Sequence, residues 1–212
     1  KLETGAYLKG LSPDIYAAIA LSLKINQFVV VDYPLTIPGV CSLSSSIQEG
    51  EQKTNSKDLE SAPHLRDRKT PYIWEENVPR IYCVQTIWAD SAFAAFKEFN
   101  RQDLLQEFDV YKLCANILDA DPSLNPRIHS FLKLKFPNDS DISLKKRLKA
   151  ECIKLLYTKR ISLLIQRLLK VLGLERHRTY EEVFGMGNAT LILLEFLNES
   201  KLNLIKKLDG LK

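Results

Sequence analysis

The sequence has little of what enzymes and nucleotide-binding domains need. Among 212 residues it has only three histidines and eight glycines. His64, His129 and His177 have no Cys, His, Asp or Glu at metal-ligand spacing, so we predict no zinc site within the chain. The phosphate-binding glycine motifs and the G-x-S-x-G nucleophile motif are also missing. We therefore predict that the protein is not an enzyme and has no cofactor. A zinc site shared with a partner chain, to which His64 or Cys41 would contribute, remains an open alternative.

Paired cysteines and long apolar runs are missing as well. The four cysteines lie far apart and none forms a C-x-x-C pair, which is typical of free thiols in a reducing compartment such as the cytosol or the nucleus. No run of 18 apolar residues is present, so we expect no transmembrane helix and no membrane partner. The first residue is Lys1 rather than methionine, which indicates a fragment of a longer protein.

The pattern that remains is helical. Ser12-Pro13-Asp14 is typical of a helix start, because serine caps, proline fits the first turn and an acidic side chain complements the helix dipole. The helix that follows, 15–28, is apolar nearly all round. Such a helix must be covered on several sides, so we predict that it is central or lies in an oligomer interface.

The middle of the chain changes character and then becomes helical again. Residues 42–69 are rich in Ser, Glu, Lys, Asp and Gln, which predicts a mobile loop or insertion. From Asn77, as a cap, to Leu208, apolar residues recur every three or four positions. The stripes indicate helices from 77 to 99, 104 to 118, 125 to 132, 143 to 172 and 188 to 208. A phase slip near 157–160 leaves open whether 143–172 is two helices or one bent helix. We predict a single all-α domain over 1–212, a multi-helix bundle with one long loop.

Aromatic residues suggest a place where a partner could bind. Most of the dense aromatics around the helix near Trp88 should be core, but a groove beside this helix, roofed by 71–78, is the best peptide-docking candidate. We assign to partner binding Trp74, Ile81, Trp88 and Phe96 at this groove, and Ile15 and Ile19 on the first helix.

Basic residues offer a different hypothesis. Between 142 and 178 there are eleven Lys or Arg against two Glu, so this stretch carries +9 in a chain whose net charge is +4. Such asymmetry raises nucleic-acid binding as an alternative hypothesis, for which we select Lys145, Lys146, Lys149 and Arg160. A long helix also needs a solvated face, and lysine and arginine are good helix formers, so the stretch has an ordinary structural explanation too.

The layout resembles a known family, the TRF-homology domain of shelterin telomere proteins. Residues 15–28 resemble its apolar dimer-forming first helix, the segment 78–88 resembles its Pro-led helix containing a tryptophan, and 143–172 resembles its late long helices. The insertion 42–69 is longer than in that family, and no Myb domain is present in these residues. The resemblance implies an all-helical scaffold of a fungal telomere complex in the nucleus, either a double-strand repeat binder or the bridging subunit. It further implies peptide docking by other telomere proteins, homodimerisation as an alternative role of the first helix, and DNA contact through a region outside this chain.

Overall fold

The computed structural model describes residues 8–28, 58–59, 65, 71–172 and 185–199. These residues contain helices and no strand, which confirms the predicted all-α class. A 3₁₀ turn, Pro122–Leu124, joins two of the helices. The α-helices of the described residues are α1 Pro13–Lys24, α2 Val84–Glu98, α3 Gln102–Gln106, α4 Val110–Ala120, α5 Asn125–Lys135, α6 Asp141–Val171 and α7 Gly185–Glu199.

The chain divides into two compact units, and a single domain over 1–212 stays a prediction. Of the described residues, the first unit contains 8–26, 58–59, 65 and 71–168, and the second contains 27–28, 169–172 and 185–199. In the second unit, α7 begins at Gly185, so Asn188 lies inside the helix rather than at its cap. The predicted continuation of this helix to Leu208 lies outside the described residues.

Ser12 lies at the N-cap position of helix α1 and Pro13 in its first turn, as predicted, but the Ser12 side chain makes no capping bond and its hydroxyl donates to the Asp14 carboxylate. The helix ends at Lys24 instead of Phe28. It packs against α2, and its only buried side chain is that of Tyr16. Leu21 is well exposed, so α1 is not central in the fold, contrary to one of the two predicted alternatives.

The segment before α2 is not helical, although a helix was predicted to begin at Asn77. The Asn77 backbone and side-chain amides donate to the Glu75 carboxylate instead of capping a helix, and the Trp74 indole donates to the Val78 carbonyl over 2.9 Å. These bonds make a tight turn. Helix α2 begins only at Val84, after Cys83, whose amide donates to the Thr86 hydroxyl at 3.2 Å.

The predicted stripe from 104 to 118 is divided between two helices, because Asp109 interrupts it. The Asp109 carboxylate accepts a bond from the Lys112 amide at 3.0 Å and caps α4, so α3 is a separate short helix. This is the local competition between side chain and backbone that makes aspartate favour caps over helix interiors.

Two groups of buried side chains form the core of the first unit. The aromatic cluster joins residues before α1 to the 74–78 turn and to α2; its members are Leu11, Leu59, Trp74, Val78, Ile87, Ala89 and Phe93. Leu59 is 2% exposed. At this point, therefore, the predicted loop 42–69 contributes a core residue.

The second group, the aliphatic cluster, lies where α4, α5 and the start of α6 meet; its members are Ile81, Val110, Cys114, Ile117, Leu124, Ile128, Leu132, Leu144 and Leu148. Burial raises the pKa of the Cys114 thiol to about 12, so this cysteine remains a neutral, inert core residue. Cys83, Cys114 and Cys152 are all free thiols, as predicted for the cysteines that the structure describes.

Candidate functional site

Helix α6 presents two different faces along its length. It is one continuous helix, and the Ser140 hydroxyl accepts a bond from the Ser143 amide at its start. Leu144, in the first half, is fully enclosed by the aliphatic cluster, whereas Leu164 is 62% exposed. Two residues that are 20 positions apart on an α-helix differ in direction by about 200°. The two leucines therefore point to nearly opposite sides, and the core that covers one cannot cover the other.

The exposed apolar side chains of the second half follow a coiled-coil spacing. Tyr157, Ile161, Leu164 and Leu168 alternate steps of four, three and four residues, and we call them the α6 stripe. Each of them is more than half exposed, and so are their neighbours on the helix, since every side chain from 156 to 172 is exposed. Alternating steps of three and four are the pattern by which one helix packs against another.

The charges beside the α6 stripe are all positive. No acidic residue occurs between 152 and 171, where there are five basic ones. Lys154 pairs with Glu151, and Lys159 pairs with Asp119 on α4. Arg160 and Arg167 lie two turns apart along one edge of the stripe. Neither arginine has an ion pair with any residue that the structure describes.

The four basic residues selected for nucleic-acid binding do not form one patch. Lys145 and Lys149 line an open cavity between α4, α5 and α6, with a volume of about 560 Å³. Lys146 does not line it, and Arg160 lies near the α6 stripe, roughly 22 Å along the helix from Lys145. The structure therefore divides these residues between two locations on α6.

The cavity has both polar and apolar lining residues. The polar ones are Asn125 and His129 of α5 and the two α6 lysines, and the apolar ones include Leu118 and Leu148. The His129 Nε2 atom is buried and has no hydrogen-bond partner within the part of the chain that the structure describes. A buried polar atom without a partner costs about 1–3 kcal/mol, so this atom is a feature that requires an explanation.

The residues predicted to form a docking groove differ in accessibility. Trp74 and Ile81 are buried in two different core clusters, so their side chains are not accessible to a peptide at the surface. Trp88 is 51% exposed on α2, and Phe96 is partly buried on the same helix. Ile15 and Ile19 are partly buried on α1. Peptide docking at these residues stays a prediction.

A buried polar network holds the 72–78 segment against α2. The Tyr72 hydroxyl and the Glu75 amide both donate to the Asp90 carboxylate, the latter over 3.0 Å. Glu75 also pairs with Lys97 of α2. Burial raises the pKa of the Asp90 carboxyl, and the bonds from Tyr72 and Glu75, which favour the charged form, oppose that rise. Because each carboxylate oxygen has a donor, this network is a structural support for the segment.

The structure identifies residues that sequence reasoning missed. Arg167 and His129 were not selected, although the helical period could have placed Arg167 beside Arg160 at the stripe. His129 could not have been found this way, because its neighbours in the cavity come from separate helices. Within the residues that the structure describes, no group of three or more His, Cys, Asp or Glu could bind a metal ion, and no helix is long and apolar enough to cross a membrane.

Comparison with known proteins gives no relative. No protein-family model, no curated protein and no solved structure matches this chain. The α6 stripe and the cavity are therefore the features of this chain that bear on its function, and the TRF-homology resemblance stays a prediction.

Proposed function

We propose that this chain is a protein-interaction domain that uses the α6 stripe to bind an amphipathic, acidic helix of a partner protein. The observation that carries the proposal is the reversal of the apolar face along α6, from the buried Leu144 to the exposed Leu164. Exposed apolar groups in a contiguous row are unfavourable in water, and in soluble proteins they commonly mark interaction sites.

The spacing of the stripe indicates a helical partner. In a heptad register Ile161 and Leu168 occupy a positions, and Tyr157 and Leu164 occupy d positions. From Tyr157 to Leu168 the stripe extends roughly 17 Å, which is three turns of helix. A partner helix with apolar residues at the same spacing would cover these side chains by knobs-into-holes packing.

The charges indicate that the partner is acidic. In the same register Arg160 and Arg167 occupy g positions, where side chains form ion pairs with the facing helix. A second copy of this helix would bring the same arginines and no acidic residue between 152 and 171, so self-pairing would set like charges together. Glutamates on a partner helix would complement both arginines.

A binding experiment with a defined peptide tests this proposal. The probe is a synthetic helix of three heptads with leucine at a and d and glutamate at e and g; the control peptide has lysine at e and g. We expect the intact chain to bind the glutamate peptide and not the lysine peptide, measured by fluorescence anisotropy. Binding should weaken with added salt, since the flanking ion pairs are exposed.

Two neighbouring leucines provide the matched variants. Leu164→Ser removes a stripe residue and should lower the affinity for the glutamate peptide at least about tenfold. Leu163→Ser is the control, because Leu163 is 55% exposed but points about 100° away from Leu164. Equal effects of the two substitutions on peptide affinity would refute the proposal that the peptide binds at the α6 stripe. The proposal would also be refuted if the chain did not bind the peptide but bound phosphatidylserine vesicles in a way that depends on the stripe. That result would indicate that the stripe binds a membrane surface.

A narrower form of the proposal keeps the telomere role. In this form, the chain is part of a nuclear scaffold to which telomere proteins bind. The resemblance of 15–28, 78–88 and 143–172 to the TRF-homology domain supports it. In this form α1 would join two copies. We expect light scattering to give the mass of a dimer for the intact chain and of a monomer for Leu21→Asp, because Leu21 is an exposed residue of α1. A monomeric intact chain would contradict the dimer.

A further inference from the structure

The cavity between α4, α5 and α6 is separate from the α6 stripe, and its chemistry points to a different ligand. Its charged lining residues, Lys145 and Lys149, are both positive. Neither lysine has an ion pair with any residue that the structure describes. They are four positions apart on one helix, so their side chains emerge on the same face, about one turn apart. Two ammonium groups so placed can contact one anion together.

The other polar groups of the cavity agree with an anion. Asn125 and His129 bring an amide and an imidazole from α5, and both groups can donate hydrogen bonds. Asn125 and Pro126 belong to the first turn of α5, where the helix dipole also favours negative charge. Among the residues that the structure describes, no carboxylate lines the cavity. The His129 Nε2 atom has no hydrogen-bond partner among the described residues, so in its protonated form it is a donor without an acceptor.

We propose that this cavity binds a phosphomonoester with a small apolar body. The two lysines match the charge of a phosphomonoester, about −1.5 to −2 near neutral pH, better than that of a single carboxylate. Leu118 and Leu148 provide an apolar wall for the organic part. The volume of about 560 Å³ lies within the range of small-molecule sites. This inference does not depend on the proposed function of the α6 stripe.

Isothermal titration calorimetry of the intact chain with phenyl phosphate tests the inference, and NMR of the histidine ring protons locates the site. We expect saturable binding that shifts the His129 signals, tighter than the binding of inorganic phosphate, which lacks the apolar part, and of benzoate, which has one charge. Equal affinity for benzoate would overturn the assignment of a dianion. Equal affinity for inorganic phosphate would overturn the role of the apolar wall.

The lysines provide variants with a matched control. Lys145→Gln with Lys149→Gln should reduce the affinity for phenyl phosphate at least about tenfold, since bonds to charged groups are the strong ones. Lys146→Gln should leave it unchanged, because Lys146 lies between them in sequence but not at the cavity. All three lysines are exposed, so the variants should fold. An unchanged affinity in the double variant would overturn the proposal.

A last comparison distinguishes two sources of the phosphomonoester. A short peptide containing phosphotyrosine has the same phenyl phosphate group attached to a chain. If it binds more tightly than phenyl phosphate and depends on the same lysines, the natural ligand is a phosphorylated protein. If it binds more weakly while phenyl phosphate keeps its lysine dependence, the natural ligand is a small phosphomonoester. Phenyl phosphate that binds without shifting the His129 signals would show that the site is elsewhere.

Discussion

The two faces of α6 allow a sharp test of which side of the helix the fold uses. Leu144 and Leu164 are the same residue type in the same helix, but the first is fully buried and the second is mostly exposed. Replacing a buried leucine by alanine costs about 2–5 kcal/mol, because apolar contacts are lost and a cavity remains. Replacing an exposed leucine changes stability by less than about 0.5 kcal/mol. Helix propensity differs equally in both cases, so it cancels in the comparison.

The expected difference is large enough for routine measurement. Leu144→Ala should reduce the free energy of unfolding by about 3 kcal/mol and lower Tm by roughly 6–12 °C. Leu164→Ala should leave both values close to those of the parent chain. Urea unfolding followed by tryptophan fluorescence is suitable, since Trp74 and Trp88 both lie in the first unit and report on it alone. A second pair, Leu148→Ala and Leu168→Ala, repeats the test four residues further along.

The result that would refute this reasoning is a similar loss for the two variants. A loss of about 2 kcal/mol or more in Leu164→Ala would mean that this side chain is already covered within the chain. In that case the α6 stripe would belong to the core, and the proposed partner helix would have nowhere to bind. A small loss in Leu144→Ala would contradict the packing of α6 on the aliphatic cluster.

Other predictions concern two glycines and the first turn of α1. Gly10 has φ +79°, and a Cβ there would lie 2.5 Å from the Ser91 hydroxyl, so Gly10→Ala should destabilise the first unit by more than about 1 kcal/mol in urea unfolding. Gly187→Ala, in α7 with open space around it, is the opposite case and should raise helix stability by up to about 1 kcal/mol, measured by circular dichroism; a loss there would contradict its open surroundings. The bond from the Ser12 hydroxyl lowers the pKa of Asp14, so Ser12→Ala should raise that pKa toward 3.8 in an NMR titration, and an unchanged pKa would contradict the bond. Because the folded pKa is below the unfolded one, the stabilisation from Asp14 is present above the unfolded pKa and is lost as pH falls through the folded value.

Local sequence signals predicted the existence of most helices, but their limits depended on competing bonds. The helical period from 143 to 172 was correct to within two residues, because an apolar repeat over many turns is hard to satisfy in another way. The helix predicted over 77–99 forms, but its predicted start at Asn77 was wrong, since Glu75 and Val78 accept bonds that hold a turn there. A potential cap residue is a weak signal for a helix start when other groups compete for its hydrogen bonds.

The candidate site was only partly visible in the sequence. The apolar residues of the α6 stripe and the phase slip near 157–160 could be read from the helical period. The exposure of these residues could not be read from the sequence. The helical period shows in which direction each side chain points, but not which other parts of the chain pack against it. The cavity was not predictable, since Lys145 and His129 come from different helices and meet only through the packing of α5 on α6.

The sequence by itself determined the all-α class, the helical course of α6 and its concentration of positive charge, since these follow from residue spacing and composition. The tertiary structure decided which of two apolar faces on α6 became core. Packing of α4 and α5 encloses Leu144 and, by the rotation of the helix, leaves Leu164 on the opposite side. Burial is a property of neighbours brought together from distant parts of the chain, and a local pattern contains no information about them.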